Sequence, residues 1–244
     1  SQNDGELSSV KIYIRLKNNL AGGIYDGKVL LSSLGAGPQE LSVRGVVTDL
    51  IPPVLHCPAT QEICYNSSNI YTIPSLAASD VSGIKSVHFS ITGKTQRQGN
   101  GYDASGIFAE GLSVINWTVT DSAGNSSTCT TTVIVNPKLT ANIPNSYSAL
   151  FGNANTIYIG YGFNFMLLSA QANGGTALAG NKYKYRWSTG STNSYIIVSP
   201  SQPGNYTYSV IVTDAKGCET SAQKTITVLD VRCGPRNNKV IVCE

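Results

Sequence analysis

The chain has 244 residues, a formal net charge of +3, 41% hydrophobic residues and only 13% charged ones. That much apolar content excludes a disordered chain. No Lys/Arg run exceeds two residues, which excludes an electrostatic nucleic-acid surface, and no apolar run approaches the roughly 20 residues of a membrane-spanning helix.

Read in chain order, the sequence offers strands and no convincing helix. Apolar and polar residues alternate at period two in VKIYIRL (10–16), GKVLLSS (27–33) and LSVRGVV (41–47). The pattern returns in KSVHFSIT (85–92), SVINWTVT (113–120) and TTTVIV (130–135). It continues through NTIYIGYG (155–162), YKYRW (183–187), NYTYSVIV (205–212), QKTITV (223–228) and NKVIV (238–242). Gly, Pro, Asn or Asp bounds each run, so the chain reads as all-β, built of tandem immunoglobulin-like β-sandwiches. Two proline-bearing seams, DLIPPVLHCP (49–58) and VNPKLTANIP (135–144), lack donors for a sheet ladder and separate the modules. The expected organisation is a partial immunoglobulin-like domain at 1–50, sandwiches at 51–137 and 138–230, and a cysteine-containing tail at 231–244. Ser1 reads as a processed or cut end, and the whole as a piece of a longer protein.

One phrase occurs twice. VTDSAGNSSTCTTTVIV (119–135) and VTDAKGCETSAQKTITV (212–228) align without a gap, and Asp121 and Asp214 lie 214 − 121 = 93 residues apart. The interval is a module length, so the phrase reads as the last hairpin of two successive sandwiches. An Asx turn at each aspartate, with Gly124 or Gly217 three residues on, suits such a hairpin.

The stretch from Pro52 to Asn136 resembles the hyalin repeat (HYR) module. The likeness is carried by Pro-Pro followed by Cys57-Pro58, the run Gly111 to Val119 (GLSVINWTV), and Thr-Asp-x-x-Gly-Asn-x-x-x-Cys ending at Cys129. It implies an extracellular immunoglobulin-like sandwich linked to adhesion, with Cys57 paired to Cys129. A second cysteine of such modules would fall at Ser82, which leaves Cys64 without its expected partner. The stretch from Asn155 to Gly234 resembles the PKD-like or immunoglobulin-like repeats near the C-termini of large secreted Bacteroidota proteins, with Trp187 expected against Val210 and Val212. The opening stretch looks like the closing strands of another immunoglobulin-like domain. These resemblances imply a secreted or cell-surface bacterial glycoprotein of the type IX secretion cargo type.

The six cysteines contain no C-x-x-C pair, which argues against zinc and for disulfides in an oxidising compartment. Spacing alone does not choose a connectivity. Cys233 and Cys243 flank a turn and a strand and are expected to pair with each other, the alternative being a staple from one of them to Cys218.

Asp80, Asp103 and Asp121 are the acids that could gather round calcium if the fold converges them; no metal or other cofactor is otherwise legible. Ser122, in Asp-Ser-Ala at a hairpin tip, matches a short Bacteroidota O-glycosylation signal. Tyr183, Tyr185 and Trp187 share one sheet face and would form a carbohydrate-stacking platform if that face were exposed.

Catalysis finds little support. There is no G-x-S-x-G. His56 abuts a cysteine expected to be bonded, and His88 sits on a strand. The expected function is a non-catalytic structural or adhesion module spacing or presenting other domains of the same protein. The alternative is a carbohydrate-binding module on a secreted polysaccharide-degrading enzyme, with polysaccharide or cell-surface glycan as partner.

Overall fold

The computed structural model describes residues 11–18, 20, 22–33, 36–180, 183–233 and 239–240. The described chain is all-β. β1 (Gly23–Ser33) and β2 (Ala36–Val47) form an antiparallel hairpin. One face carries the exposed ion pairs Lys28–Glu40 and Asp26–Arg44, both at 2.7 Å. The other holds half-buried Tyr25, Val29, Val43 and Val47. Of the predicted strand at 10–16, the described residues 11–16 run outside any ladder, although Leu16 lies against Gly45 of the hairpin. Its alternation satisfies the side-chain pattern of a strand, but alternation alone does not supply the partner that a ladder needs.

The next strands are β3 (Val54–His56), β4 (Gln61–Ile63), β5 (Ile70–Tyr71), β6 (Ala77–Ser79), β7 (Ile84–Gly93), β8 (Arg97–Asn100), β9 (Gly106–Ile107), β10 (Gly111–Asp121) and β11 (Ser126–Val135). One sheet runs β4-β11-β10-β7-β8, and the pairs β3-β6 and β5-β9 supply the opposing side. Alternation along β10 decides which side chains enter: Ser113, Ile115, Trp117, Val119 and Asp121 are buried, whereas Leu112 and Thr118 are exposed. Trp117 is the centre of this core. Its ring meets Phe89 edge-on at 5.5 Å, and its Nε1–H donates to Thr131 Oγ1 at 3.1 Å. The Thr131 hydroxyl donates in turn to the Pro58 carbonyl at 3.2 Å. The one polar atom of the indole is thereby satisfied inside the core, as burial requires.

The second sandwich comprises β12 (Leu139–Asn142), β13 (Thr156–Ile159), β14 (Met166–Ser169), β15 (Gln171–Gly174), β16 (Lys184–Trp187), β17 (Tyr195–Val198), β18 (Gly204–Thr213) and β19 (Glu219–Asp230). Its main sheet is β13-β19-β18-β16, faced by the pairs β12-β15 and β14-β17. Trp187 pairs in register with Val210 and packs in one core with Val212, Ile226, Val228, Met166 and Leu168. Both sandwiches share one further device. An early strand runs parallel to the last: β4 along β11 with Gln61 opposite Val133, and β13 along β19 with Thr156 opposite Thr227. After the second sandwich, β20 (Arg232–Cys233) pairs with β21 (Lys239–Val240).

Trp117 is 0% exposed and Leu112, on the same strand, is 51% exposed. Trp117→Ala is expected to cost about 3–5 kcal/mol and Leu112→Ala less than about 1 kcal/mol. Urea unfolding followed on the first sandwich measures both.

Candidate functional site: the two hairpin tips and the joints they make

Each copy of the repeated phrase folds into the tip of its sandwich's last hairpin, and each tip is closed by a buried carboxylate. In the first, the Asp121 N–H donates to the Asn125 carbonyl at 3.0 Å, and the Asn125 N–H donates to Asp121 Oδ1 at 2.8 Å. In the second, the Asp214 N–H donates to the Cys218 carbonyl at 3.0 Å, and the Cys218 N–H donates to Asp214 Oδ1 at 2.9 Å. Gly124 (φ +98°) and Gly217 (φ +82°) make the left-handed step that an L side chain would strain. Asp121 and Asp214 are 0% and 2% exposed. A buried carboxylate persists only when donors surround it. Asp121 has the Asn125 side-chain amide at 2.8 Å as well, and Asp214 has the N–H groups of Lys216 and Thr176 at 2.9 and 2.8 Å. For Asp121, burial pushes the carboxyl pKa up. The Asn125 side-chain and backbone donors, with Gly124 and Ala123, outweigh this and hold it below the ordinary carboxylate value.

The tips also reach backwards along the chain. At the first, the Asn125 amide donates to the carbonyls of Asp49 at 3.1 Å and Ile51 at 3.5 Å, fastening the incoming segment. At the second, the contact to the preceding sandwich is covalent: Cys218 is bonded to Cys64, just beyond β4. Lys216 Nζ meets Glu62 Oε1 at 2.8 Å beside the bond. The linker between the sandwiches is held at the same place. The Asn136 N–H donates to the Ile63 carbonyl at 2.8 Å, the Lys138 N–H donates to Glu110 at 3.1 Å, and the Lys138 ammonium lies 5.7 Å from the centre of the Tyr65 ring.

The cysteines thus resolve differently from the sequence reading at one point. Cys57 and Cys129, the pair that the HYR resemblance implied, are bonded within the first sandwich. Cys64, which that resemblance left without a partner, takes Cys218 from the next module, and this rules out Cys218 as an anchor for the tail. Their sequence separations are 72 and 154. Loops of that length correspond to about 4 and about 5 kcal/mol of denatured-state entropy. Cys233 has no disulfide partner among the described residues, and Cys243 lies outside them.

Of the acids singled out for calcium, Asp80 and Asp121 converge and Asp103 does not. The third member is Asp49, which sequence reasoning missed: one carboxylate oxygen from each of Asp49, Asp80 and Asp121 lies within 4.8 Å of the others. Asp49 precedes the first sandwich by several residues, so no local pattern links it to the other two. Its Oδ1 accepts from the Ile51 N–H, but its Oδ2 is buried with no hydrogen-bond partner. None of the ion pairs among the described residues involves these three acids. Asp103 is engaged instead by Ser105, whose hydroxyl and N–H hold its carboxyl below the usual range.

The remaining predicted sites fall apart or turn inward. Trp187 is 2% exposed, and its Nε1–H donates to the Asn193 carbonyl at 2.9 Å, so it cannot stack on a sugar. Tyr183 and Tyr185 are half-buried against the same core, and the Tyr183 hydroxyl donates to the Gly174 carbonyl. The shared face is the core face, and the platform of Tyr183, Tyr185 and Trp187 does not exist as an exposed surface. Ser122 is exposed at the first tip, with its hydroxyl donating to the Gly83 carbonyl at 3.2 Å. His56 and His88 are both exposed, and His88 Nδ1 lies 3.2 Å from Asn100 Oδ1. Among the described residues, no helix is long and apolar enough to cross a membrane.

No family model matches the chain, and no curated protein matches it. Among solved structures, it is similar to the fibronectin(III)-like modules of Clostridium thermocellum CbhA, at 16% identity over 73% of this chain and 94% of that one, with a TM-score of 0.33. It is similar to immunoglobulin domains 1–5 of Sidekick-1, at 12% identity over 86% of this chain and 46% of that one, with a TM-score of 0.33. A Bacteroides ovatus mixed-linkage glucan utilization locus protein, SGBP-B, in complex with a mixed-linkage heptasaccharide, aligns at 14% identity over 73% of this chain and 47% of that one, with a TM-score of 0.28. The chain spans less than half the length of the latter two. These superpositions are loose, and the tandem-sandwich fold rests on the strand pairing itself.

A pH titration checks the closure of the first tip. With its pKa lowered in the folded state, Asp121 contributes stability that is fully present above the unfolded carboxylate value of about 3.9. The contribution is lost as pH falls through the lower folded value. The Asn125 backbone amide resonance is therefore expected to titrate with a midpoint below that of an Asp-Ser-Ala-Gly-Asn peptide. A midpoint equal to or above the peptide's contradicts the donor closure.

Proposed function

We propose that this chain is a non-catalytic extracellular spacer, in which two sandwiches fixed to one another hold or present another domain of a larger secreted protein. The observation that carries this reading is the joint. Between the sandwiches lie a disulfide, an ion pair, a linker hydrogen bond and a cation–π contact, all within the few residues around Cys64 and Asn136. Two disulfides in a chain of low charge suit an oxidising, extracellular compartment. The finer assignment belongs to the same proposal: an HYR-like module followed by a PKD-like one, in a Bacteroidota protein of the type IX cargo kind. It is supported by the motifs around Cys57, Trp117 and Cys129. The glycan-binding alternative loses its named platform, because Trp187 is core.

Two measurements test the spacer. On an array of soluble polysaccharides, including mixed-linkage glucan, the chain is expected to show no saturable binding; micromolar binding to any of them would overturn the reading. In small-angle scattering, Cys64→Ser with Cys218→Ser is expected to broaden the distance distribution relative to the oxidised chain. An unchanged distribution removes the claim that the clasp fixes the joint.

We also propose calcium at Asp49, Asp80 and Asp121. The supporting observation is separate from the clustering of acids: Asp49 Oδ2 is buried without any donor, beside two further carboxylates. Hard cations with oxygen ligands suit such a donor set, with neighbouring carbonyls and water completing the six to eight oxygens that calcium takes. Calorimetric titration with CaCl2 is expected to give one site with millimolar or tighter affinity, weakened at least tenfold by Asp49→Asn. No heat, or heat unchanged in that variant, rejects the assignment.

A further inference from the structure

The two disulfides interleave: in chain order the cysteines run Cys57, Cys64, Cys129, Cys218, with the first bonded to the third and the second to the fourth. This order has a mechanical consequence. When a chain is pulled from its ends, tension follows the shortest covalent path between them. Tension arriving from the N-terminal side enters the first sandwich at β3, passes Cys57 and reaches Cys64 only seven residues later. There it crosses the sulfur bridge to Cys218 and leaves along β19. The 154-residue interval between Cys64 and Cys218 lies off this path.

We propose that the Cys64–Cys218 bond is a load-bypass clasp, which keeps the 154-residue interval between the two cysteines from extending under tension. The proposal rests on the spacer reading above. The strands off the path are those that build most of both cores: β7, β10 and β11 of the first sandwich, and β14, β16, β17 and β18 of the second. The placement of the clasp is specific. Cys64 directly follows β4, the edge strand that runs parallel to β11, and Cys218 sits in the turn that directly precedes β19. Each sandwich is thus loaded only through a terminal segment. The ion pair Lys216–Glu62 and the Asn136 N–H bond to the Ile63 carbonyl hold the two segments side by side, so the bridge is the shortest connection between them. While the clasp is closed, the Cys57–Cys129 bond does not affect extension, because its 72-residue loop overlaps the bypassed interval and offers no shorter route. If the clasp opens, Cys57–Cys129 becomes a second stop that still withholds the first sandwich. The arrangement is therefore graded, with a first limit set between modules and a second within one.

Single-molecule force spectroscopy on the full chain, tethered at its two ends under oxidising conditions, reads this directly. The final contour length depends on covalent connectivity alone, so a variant that folds poorly still gives an answer. Cys57→Ser with Cys129→Ser is expected to leave the contour length unchanged. Cys64→Ser with Cys218→Ser is expected to lengthen it by 154 − 72 = 82 residues, which is about 290 Å at about 3.5 Å per residue. Replacing all four cysteines by Ser adds the other 72 residues, a further ~250 Å. The proposal is overturned if the oxidised parent already reaches the length of the four-serine chain, or if removing Cys57 and Cys129 alone lengthens it. Glycan binding on the array would remove the spacer reading and leave these lengths as they are, so the two can fail separately.

Discussion

A single buried carboxylate per sandwich is the constraint on which the rest of the structure depends. An ionised side chain in a β-sandwich core is tolerated only if backbone donors converge on it. Asp121 and Asp214 meet that condition by drawing the last hairpin of each module into one tight loop, with a left-handed glycine as the closing step. The shape of that loop then decides where its remaining side chains point. In both modules the residue four places after the aspartate reaches back along the chain, Asn125 to Asp49 and Ile51 and Cys218 to Cys64.

The same loop is used for two strengths of joint. At the first tip an amide side chain, Asn125, hydrogen-bonds two carbonyls of the incoming segment. At the second tip the equivalent position in the phrase is Cys218, and the joint is a covalent bond to Cys64. One substitution of residue type at a conserved geometry converts a polar contact into a fixed connection. The ion pair and the linker contacts around the second joint add little individually, since exposed pairs are worth at most about 1 kcal/mol. Their effect is to hold the two cysteines in bonding position.

Much of the fold was legible from period-two alternation. The strands at 85–92, 113–120, 130–135, 205–212 and 223–228 all fall inside long paired strands. The short strands β3, β5, β6 and β9 were not, because two or three residues carry no period. The stretch at 10–16 shows the converse error: alternation describes a side-chain pattern, while a strand also needs a partner. For Tyr183, Tyr185 and Trp187 the sequence established that three aromatics share a face but left open which way that face looks. The second layer, β12-β15 and β14-β17, turns it inward.

By itself, then, the sequence determined the all-β class, the module length through the repeated phrase, and the turn chemistry of Asp121 and Asp214. The class and the turns are local properties, written within a few residues of one another, and the module length is the interval at which one such local phrase recurs. The tertiary structure alone decided the pairing of Cys64 with Cys218, the approach of Asp49 to Asp80 and Asp121, and the burial of Trp187. Each of these joins segments that are distant in the chain or belong to different modules. Contacts of that range arise from how two sheets and two sandwiches stack, and no spacing along a single strand encodes them.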